Sequence, residues 1–175
     1  MLTKPSALQK GDRVGIFTPS TPGHVHFRAK YQHGLQNIRN LGFEIVEGRL
    51  TRTCQAQGYR TAGPEERANE LMELIEDDSV RAIVATIGGW NSASLIPFLD
   101  FDIISKNPKV ICGYSDITTL HMALLTKAKL SSFYGPAVVP SFGEWPHMSR
   151  ITKESFLASV CGNGRFPLDI SRPNL

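Results

Sequence analysis

The sequence predicts an α/β protein: a doubly wound, mostly parallel sheet of about five strands with helices on both faces. Short apolar, β-branched runs alternate with stretches whose apolar residues recur every three or four positions, the alternation of βαβ units. The runs are continuously apolar, as strands buried on both faces are. Glycine, proline and small polar residues punctuate the junctions.

The elements follow in order. "RVGIFTP" (Arg13 to Pro19) is the first strand, after a Gly11-Asp12 turn. Phe27, Tyr31, Leu35, Ile38 and Leu41 mark a helix with one buried face, ended by Gly42. "FEIVEG" (Phe43 to Gly48) is the second strand, and the polar stretch Thr51 to Pro64 a loop. Pro64, Glu65 and Glu66 open a helix: proline tolerates its first turn and carboxylates suit its positive end. Ala68, Leu71, Met72 and Ile75 are its stripe. "RAIVATIGG" (Arg81 to Gly89) is the third strand; Asn91 and Ser92 can cap a short helix through Leu95 to Leu99. "KVICGYS" is the fourth strand, Asp116 to Lys127 its helix, and "LSSFYGPAVV" (Leu130 to Val139) the fifth strand. After a loop, Ile151 to Val160 is a helix, and Cys161 to Leu175 has the composition of a linker. We expect residues 1–145 to form one α/β domain and 146–175 a helix and linker leading to a further domain.

Composition excludes several functions. A formal net charge of +3 over 175 residues, with scattered lysines and arginines, gives no reason to expect nucleic acid or an anionic membrane as partner. No apolar run approaches the roughly 20 residues that span a bilayer, and the first residues lack a signal-peptide core, so a cytoplasmic location is the default. Three scattered cysteines (Cys54, Cys112, Cys161) suggest neither disulfides nor zinc; Cys112, inside a strand run, reads as a small buried hydrophobe. The five histidines form no metal motif, and neither metal nor cofactor is expected.

In doubly wound sheets ligands sit outside the carboxyl ends of the strands. Four loops therefore attract attention: Thr18 to Gly23, Gly88 to Ser92, Gly113 to Asp116 and Gly135 to Pro140. Gly113-Tyr114-Ser115-Asp116-Ile117 nearly matches the G-x-S-x-G elbow, in which a serine on a tight strand-to-helix turn points its hydroxyl into the cleft. The next backbone N–H, in the first helical turn, is free to stabilise an oxyanion. Ile117 replaces the final glycine, and Ser115 or Asp116 could instead merely cap the helix. Gly88-Gly89-Trp90-Asn91-Ser92 follows the neighbouring strand; its glycines let backbone approach a ligand, or simply make a tight turn. The proline-containing Thr18 to Gly23 loop fits no phosphate-binding motif. A base for Ser115 is not evident: His121, six residues on, would lie about 9 Å along the axis and on the far side.

"TIGGWNSASLIPFLDF", "ICGYSDITTLH" and "FYGPA", in this order and spacing, resemble the LD-carboxypeptidase family of serine peptidases, and within it the microcin C self-immunity branch. The likeness runs from about Val14 to Pro140. It implies that Ser115 is the nucleophile, that the backbone amides of Gly89 and Asp116 form the oxyanion hole, and that Gly88, Trp90 and Asn91 bind substrate. It also implies a Ser-Glu-His triad whose glutamate and histidine come from a C-terminal domain beyond this sequence. The chain would then be an N-terminal half, inactive alone. The implied substrates are an L,D-peptide amide of murein or a peptidyl-nucleotide amide, and the implied assembly a homodimer. The competing expectation is a non-catalytic module holding a small anionic ligand at helix N-termini. A flavodoxin-like receiver is a weaker third reading, because Asp100, Asp102 and Asp116 do not cluster in this scheme.

Overall fold

A computed structural model describes residues 1–53 and 56–162. Strands β1 (Arg13–Phe17), β2 (Glu44–Glu47), β3 (Val80–Ala85), β4 (Val110–Gly113) and β5 (Phe133–Tyr134) form one sheet in the order β2-β1-β3-β4-β5. Every pairing is parallel; Gly15 lies against Ile83, Ile83 against Ile111, and Cys112 against Phe133. The connecting α-helices among the described residues are α1 (Gly23–His26), α2 (Arg28–Asn40), α3 (Arg49–Arg52), α4 (Pro64–Glu76), α5 (Phe101–Lys106), α6 (Thr118–Ala123) and α7 (Arg150–Val160).

Continuous apolar strands bury both faces because each face is covered by helices. Phe17, Ile83, Ala85 and Ile111 pack with Leu71 and Ile75 of α4, Ile104 of α5 and Leu120 of α6. Ile16, Ala82, Val84 and Cys112 pack on the other side with Tyr31, Leu35 and Ile38 of α2 and with Phe156 and Val160 of α7. The alternation of partners along each strand is the two-residue period of a pleated sheet. The five-stranded, doubly wound α/β architecture is as expected, and among the described residues no helix is long and apolar enough to cross a membrane.

The differences are local and have physical causes. The expected fifth strand shrinks to Phe133–Tyr134, because Pro136 and Pro140 cannot donate to a ladder; Val138–Phe142 instead coils into a π-turn. The short helix after Asn91 is a 3₁₀ segment, Ser92–Phe98, containing Pro97. Helix α5 was not anticipated, although Asp100 is a clear N-cap: its carboxylate accepts from the N–H groups of Asp102 (3.0 Å) and Ile103 (2.9 Å). The loop expected from Thr51 begins inside α3. The helix expected over Asp116 to Lys127 is a 3₁₀ turn, Ser115–Ile117, then α6, then a π-turn over Leu124–Ala128. Most of the expected linker, residues 163–175, lies outside the described residues.

Candidate active site

The strand order reverses direction between β1 and β3, and a crevice opens there at the carboxyl ends of the strands. The cleft has a volume of about 470 Å³ and is lined by Thr21, Ile87, Gly88, Gly89, Trp90, Tyr114, Ser115 and Pro140. Each of the four loops singled out in the sequence contributes to it.

Ser115 sits at the corner between β4 and the helical segment that leads into α6. Its φ is +64°, the left-handed region that a residue with a Cβ rarely occupies. Such a conformation is retained where the surroundings over-determine it, often at functional sites. Ser115 is exposed, and its hydroxyl has no hydrogen-bond partner among the described residues. It is not a cap: the 3₁₀ turn has no side-chain cap, and Ser115 enters it only through its carbonyl, which accepts from the Thr118 hydroxyl at 2.6 Å. Ile117, the departure from the elbow pattern, points into the core and is 2% exposed.

The Gly88–Ser92 turn lies directly against the serine. A Cβ built on Gly88 would stand 3.1 Å from Ser115 Cβ, 3.3 Å from its Oγ and 3.3 Å from the Asp116 nitrogen, so glycine is what allows the approach. A Cβ on Gly89 would collide with the side chains of Ser20 and Thr21. The turn is held by two acceptors, which share the Asn91 N–H. Ser20 Oγ accepts from the N–H groups of Trp90 (3.1 Å) and Asn91 (3.2 Å). Asp116 Oδ2 accepts from the N–H groups of Asn91 and Ser92, both at 3.0 Å, and from the Ser92 hydroxyl at 2.6 Å. The Gly89 N–H has no acceptor among the described residues. Asp116's own N–H belongs to a first helical turn, which supplies no intrahelical acceptor. Trp90 is 77% exposed at the cleft rim. Asn91 is not among the lining residues: its Oδ1 accepts from Arg67, and its buried Nδ2 has no partner among the described residues.

Among the described residues, the cleft lining contains no carboxylate and no imidazole. His121 is spent elsewhere. Its Nε2 lies 2.9 Å from the Gly113 carbonyl, which can only accept, so Nε2 carries the proton and Nδ1 accepts from Ser132 Oγ at 2.8 Å. Burial lowers its pKa, and the bond to Gly113 opposes this. His121 is a neutral tie between the end of β4 and the start of β5. Cys112 is buried beneath the site, its thiol pushed up to about 12 by burial; with Cys161 it is a free cysteine.

Sequence reasoning passed over Ser20, Thr21 and Arg67. Ser20 and Thr21 stand in a loop singled out by its position after the first strand, but it fits no phosphate-binding motif and neither residue stood out within it. Arg67 did carry a signal: it lies four residues before Leu71, next to Ala68, and so on the apolar stripe of α4, where a cation is out of place.

The chain is similar to several known proteins. The microcin C7 self-immunity protein MccF of Escherichia coli is 43% identical over 157 residues, covering 90% of this chain and 44% of that protein. A Bacillus subtilis (strain 168) protein named as a probable murein peptide carboxypeptidase is 34% identical over 140 residues, covering 80% of this chain and 42% of that protein. The solved structure of MccF in complex with glutamyl sulfamoyl guanosine superposes with a TM-score of 0.86 at 40% identity, covering 94% of this chain and 48% of that one. The chain thus spans less than half the length of each. Residues 14–135 match the model of the LD-carboxypeptidase N-terminal domain, and the chain belongs to that family.

Proposed function

We propose that this chain is the nucleophile-bearing half of a serine amidohydrolase. Ser115 Oγ attacks the carbonyl carbon of an amide. The carbonyl electrons move onto oxygen, where the N–H groups of Gly89 and Asp116 receive the negative charge. A histidine oriented by a glutamate, both supplied by a segment outside residues 1–175, takes the serine proton and returns it to the departing nitrogen. Water, activated by the same histidine, then releases the acyl group from Ser115. The observation that carries this reading is the exposed, unpartnered Ser115 hydroxyl at φ +64° in a cleft between two glycine-bearing turns.

A divided active site is supported by the cleft lining, which among the described residues holds no carboxylate or imidazole to act as a base. We infer a peptidyl-nucleotide amide as substrate, because the match to MccF is longer and closer than that to the murein peptidase relative, and MccF has been solved with glutamyl sulfamoyl guanosine. Trp90, exposed at the rim, offers a flat apolar surface to such a ligand, and Gly88 lets its backbone approach. The test is a fusion of this chain to the second half of E. coli MccF, assayed on glutamyl sulfamoyl guanosine and on a murein tetrapeptide carrying an L,D amide. Cleavage of the nucleotide compound, lost in Ser115→Ala, is the expected result. Cleavage of the tetrapeptide alone would move the substrate to the murein class. Ligand binding that survives Ser115→Ala, with no turnover, would make the chain a binding module.

A further inference from the structure

Arg67 of α4 is 1% exposed, yet all of its hydrogen bonds go to neutral acceptors. Nε donates to the carbonyls of Ala62 (3.0 Å) and Gly63 (3.3 Å). Nη1 donates to the Pro19 carbonyl and to Asn91 Oδ1 (2.6 Å), and Nη2 to Ser94 Oγ (3.1 Å). No carboxylate lies within ion-pair distance of it among the described residues. Burying a cation without a counter-ion is costly, and a methionine or leucine at this stripe position would pack more cheaply. What the guanidinium supplies is geometry, because its planar fork addresses several acceptors in fixed directions.

Those acceptors belong to three pieces of chain: the exit of β1, the start of α4 and the exit of β3. Pro19 precedes Ser20, whose hydroxyl accepts from Trp90 and Asn91. Arg67, Pro19, Ser20 and Asn91 therefore close a ring through the Gly88–Ser92 turn, where the Asn91 N–H is shared between Ser20 Oγ and Asp116 Oδ2. The charge matters as well. Asp116 brings a carboxylate close to donors that must receive an oxyanion, and Arg67 offsets it across Asn91. Burial and the nearby Arg60 charge lower the Arg67 pKa, while Asp116 works to raise it.

We propose that Arg67 is a positioning residue, whose fork fastens the Gly88–Ser92 turn to the β1 exit and so holds the Gly89 N–H in register with Ser115. This rests on the reading of that N–H as an oxyanion donor. The experiment is amide hydrogen exchange by NMR on the full 175-residue chain, unmodified and with Arg67→Lys or Asn91→Ala. The second variant removes the fork's partner in the turn while sparing the core. Both should speed exchange at Trp90 and Ser92 by about tenfold or more, with the amides of β1 and β3 unchanged. In the fusion to the second half of MccF, Arg67→Lys should lower kcat about 10–100-fold with KM within about threefold, the pattern of a lost transition-state interaction. Unaltered protection of the turn in either variant overturns the proposal. So does loss of protection throughout the sheet in Arg67→Lys with no local effect in Asn91→Ala, or a change in KM alone. Failure of the Ser115 reading would look different: the fusion with Arg67 intact would not turn over, while the exchange pattern would stand.

Discussion

The Asp116 carboxylate meets the Ser92 hydroxyl at 2.6 Å and also takes the Ser92 N–H at 3.0 Å. The residue that follows the elbow serine thus caps the 3₁₀ segment leaving the neighbouring strand, and binds the two turns of the cleft into one unit. A charged acceptor taking three donors is worth more than a neutral cap. Asp116→Ala should destabilise the chain by about 2 kcal/mol and Asp116→Asn by roughly half as much, read from urea unfolding. Equal stability of Asp116→Ala and the unmodified chain would mean that the cap does not hold in solution.

Ser115 should be unfavourable for stability, and its hydroxyl neutral. A non-glycine residue in the left-handed region costs about 1–2 kcal/mol, part of which glycine gives back through its freer unfolded chain. Ser115→Gly should therefore stabilise by up to about 1 kcal/mol. Ser115→Ala, which keeps the Cβ and removes only a hydroxyl without a partner, should change stability by less than about 0.5 kcal/mol. In the fusion to the second half of MccF, both should abolish reaction of the site with acylating reagents. A marked loss of stability in Ser115→Ala would return the serine to the role of a structural cap.

Gly88 separates positioning from stability in the opposite sense. A methyl group there meets Ser115 Cβ at 3.1 Å and the Asp116 nitrogen at 3.3 Å, distances that small shifts relieve. Gly88→Ala should cost about 1 kcal/mol of stability but lower the turnover of the MccF fusion by about 100-fold, because a small displacement of the nucleophile is expensive in rate. Turnover within threefold of the unmodified fusion would show that the contact does not set the nucleophile's position.

Glu70 makes stability depend on pH. It is fully buried, and its pKa is raised from 4.5 to about 6 by burial, against the opposing bonds from Thr51 and neighbouring backbone. A raised pKa means that the folded state binds the extra proton between those values, so the stability it confers is present below pH 4.5 and lost as pH rises through 6. Relative to the unmodified chain, Glu70→Gln should gain about 2 kcal/mol between pH 4.5 and pH 6.5, measured by urea unfolding at each pH. His24, buried and lowered to about 4, contributes in the opposite sense: its stability is lost as pH falls from 6.5 toward 4. A constant difference between the two proteins over this range would show that Glu70 does not titrate there.

Much of this was legible in the sequence because it depends on local pattern. Continuous apolar runs identify strands wherever they are buried, and ligand crevices form at their carboxyl ends, so the loops holding Thr21, Gly88, Ser115 and Pro140 could be named before they were seen to meet. What escaped depends on side-chain direction. Asp116 could have capped its own helix; that it reaches across to Ser92 follows from the packing of β3 beside β4. Ser20 and Arg67 act on a turn 70 and 24 residues away in sequence, and no local periodicity encodes such pairings. The fifth strand is shorter than its run of valines suggests, because Pro136 and Pro140 have no N–H to give to a ladder.

The most direct measurement is peptide mapping by mass spectrometry after the fusion of this chain to the second half of MccF has reacted with a fluorophosphonate. Our account predicts one adduct, on the peptide carrying Ser115, absent in Ser115→Ala. An adduct on another residue, or none while intact MccF is labelled under the same conditions, would contradict it.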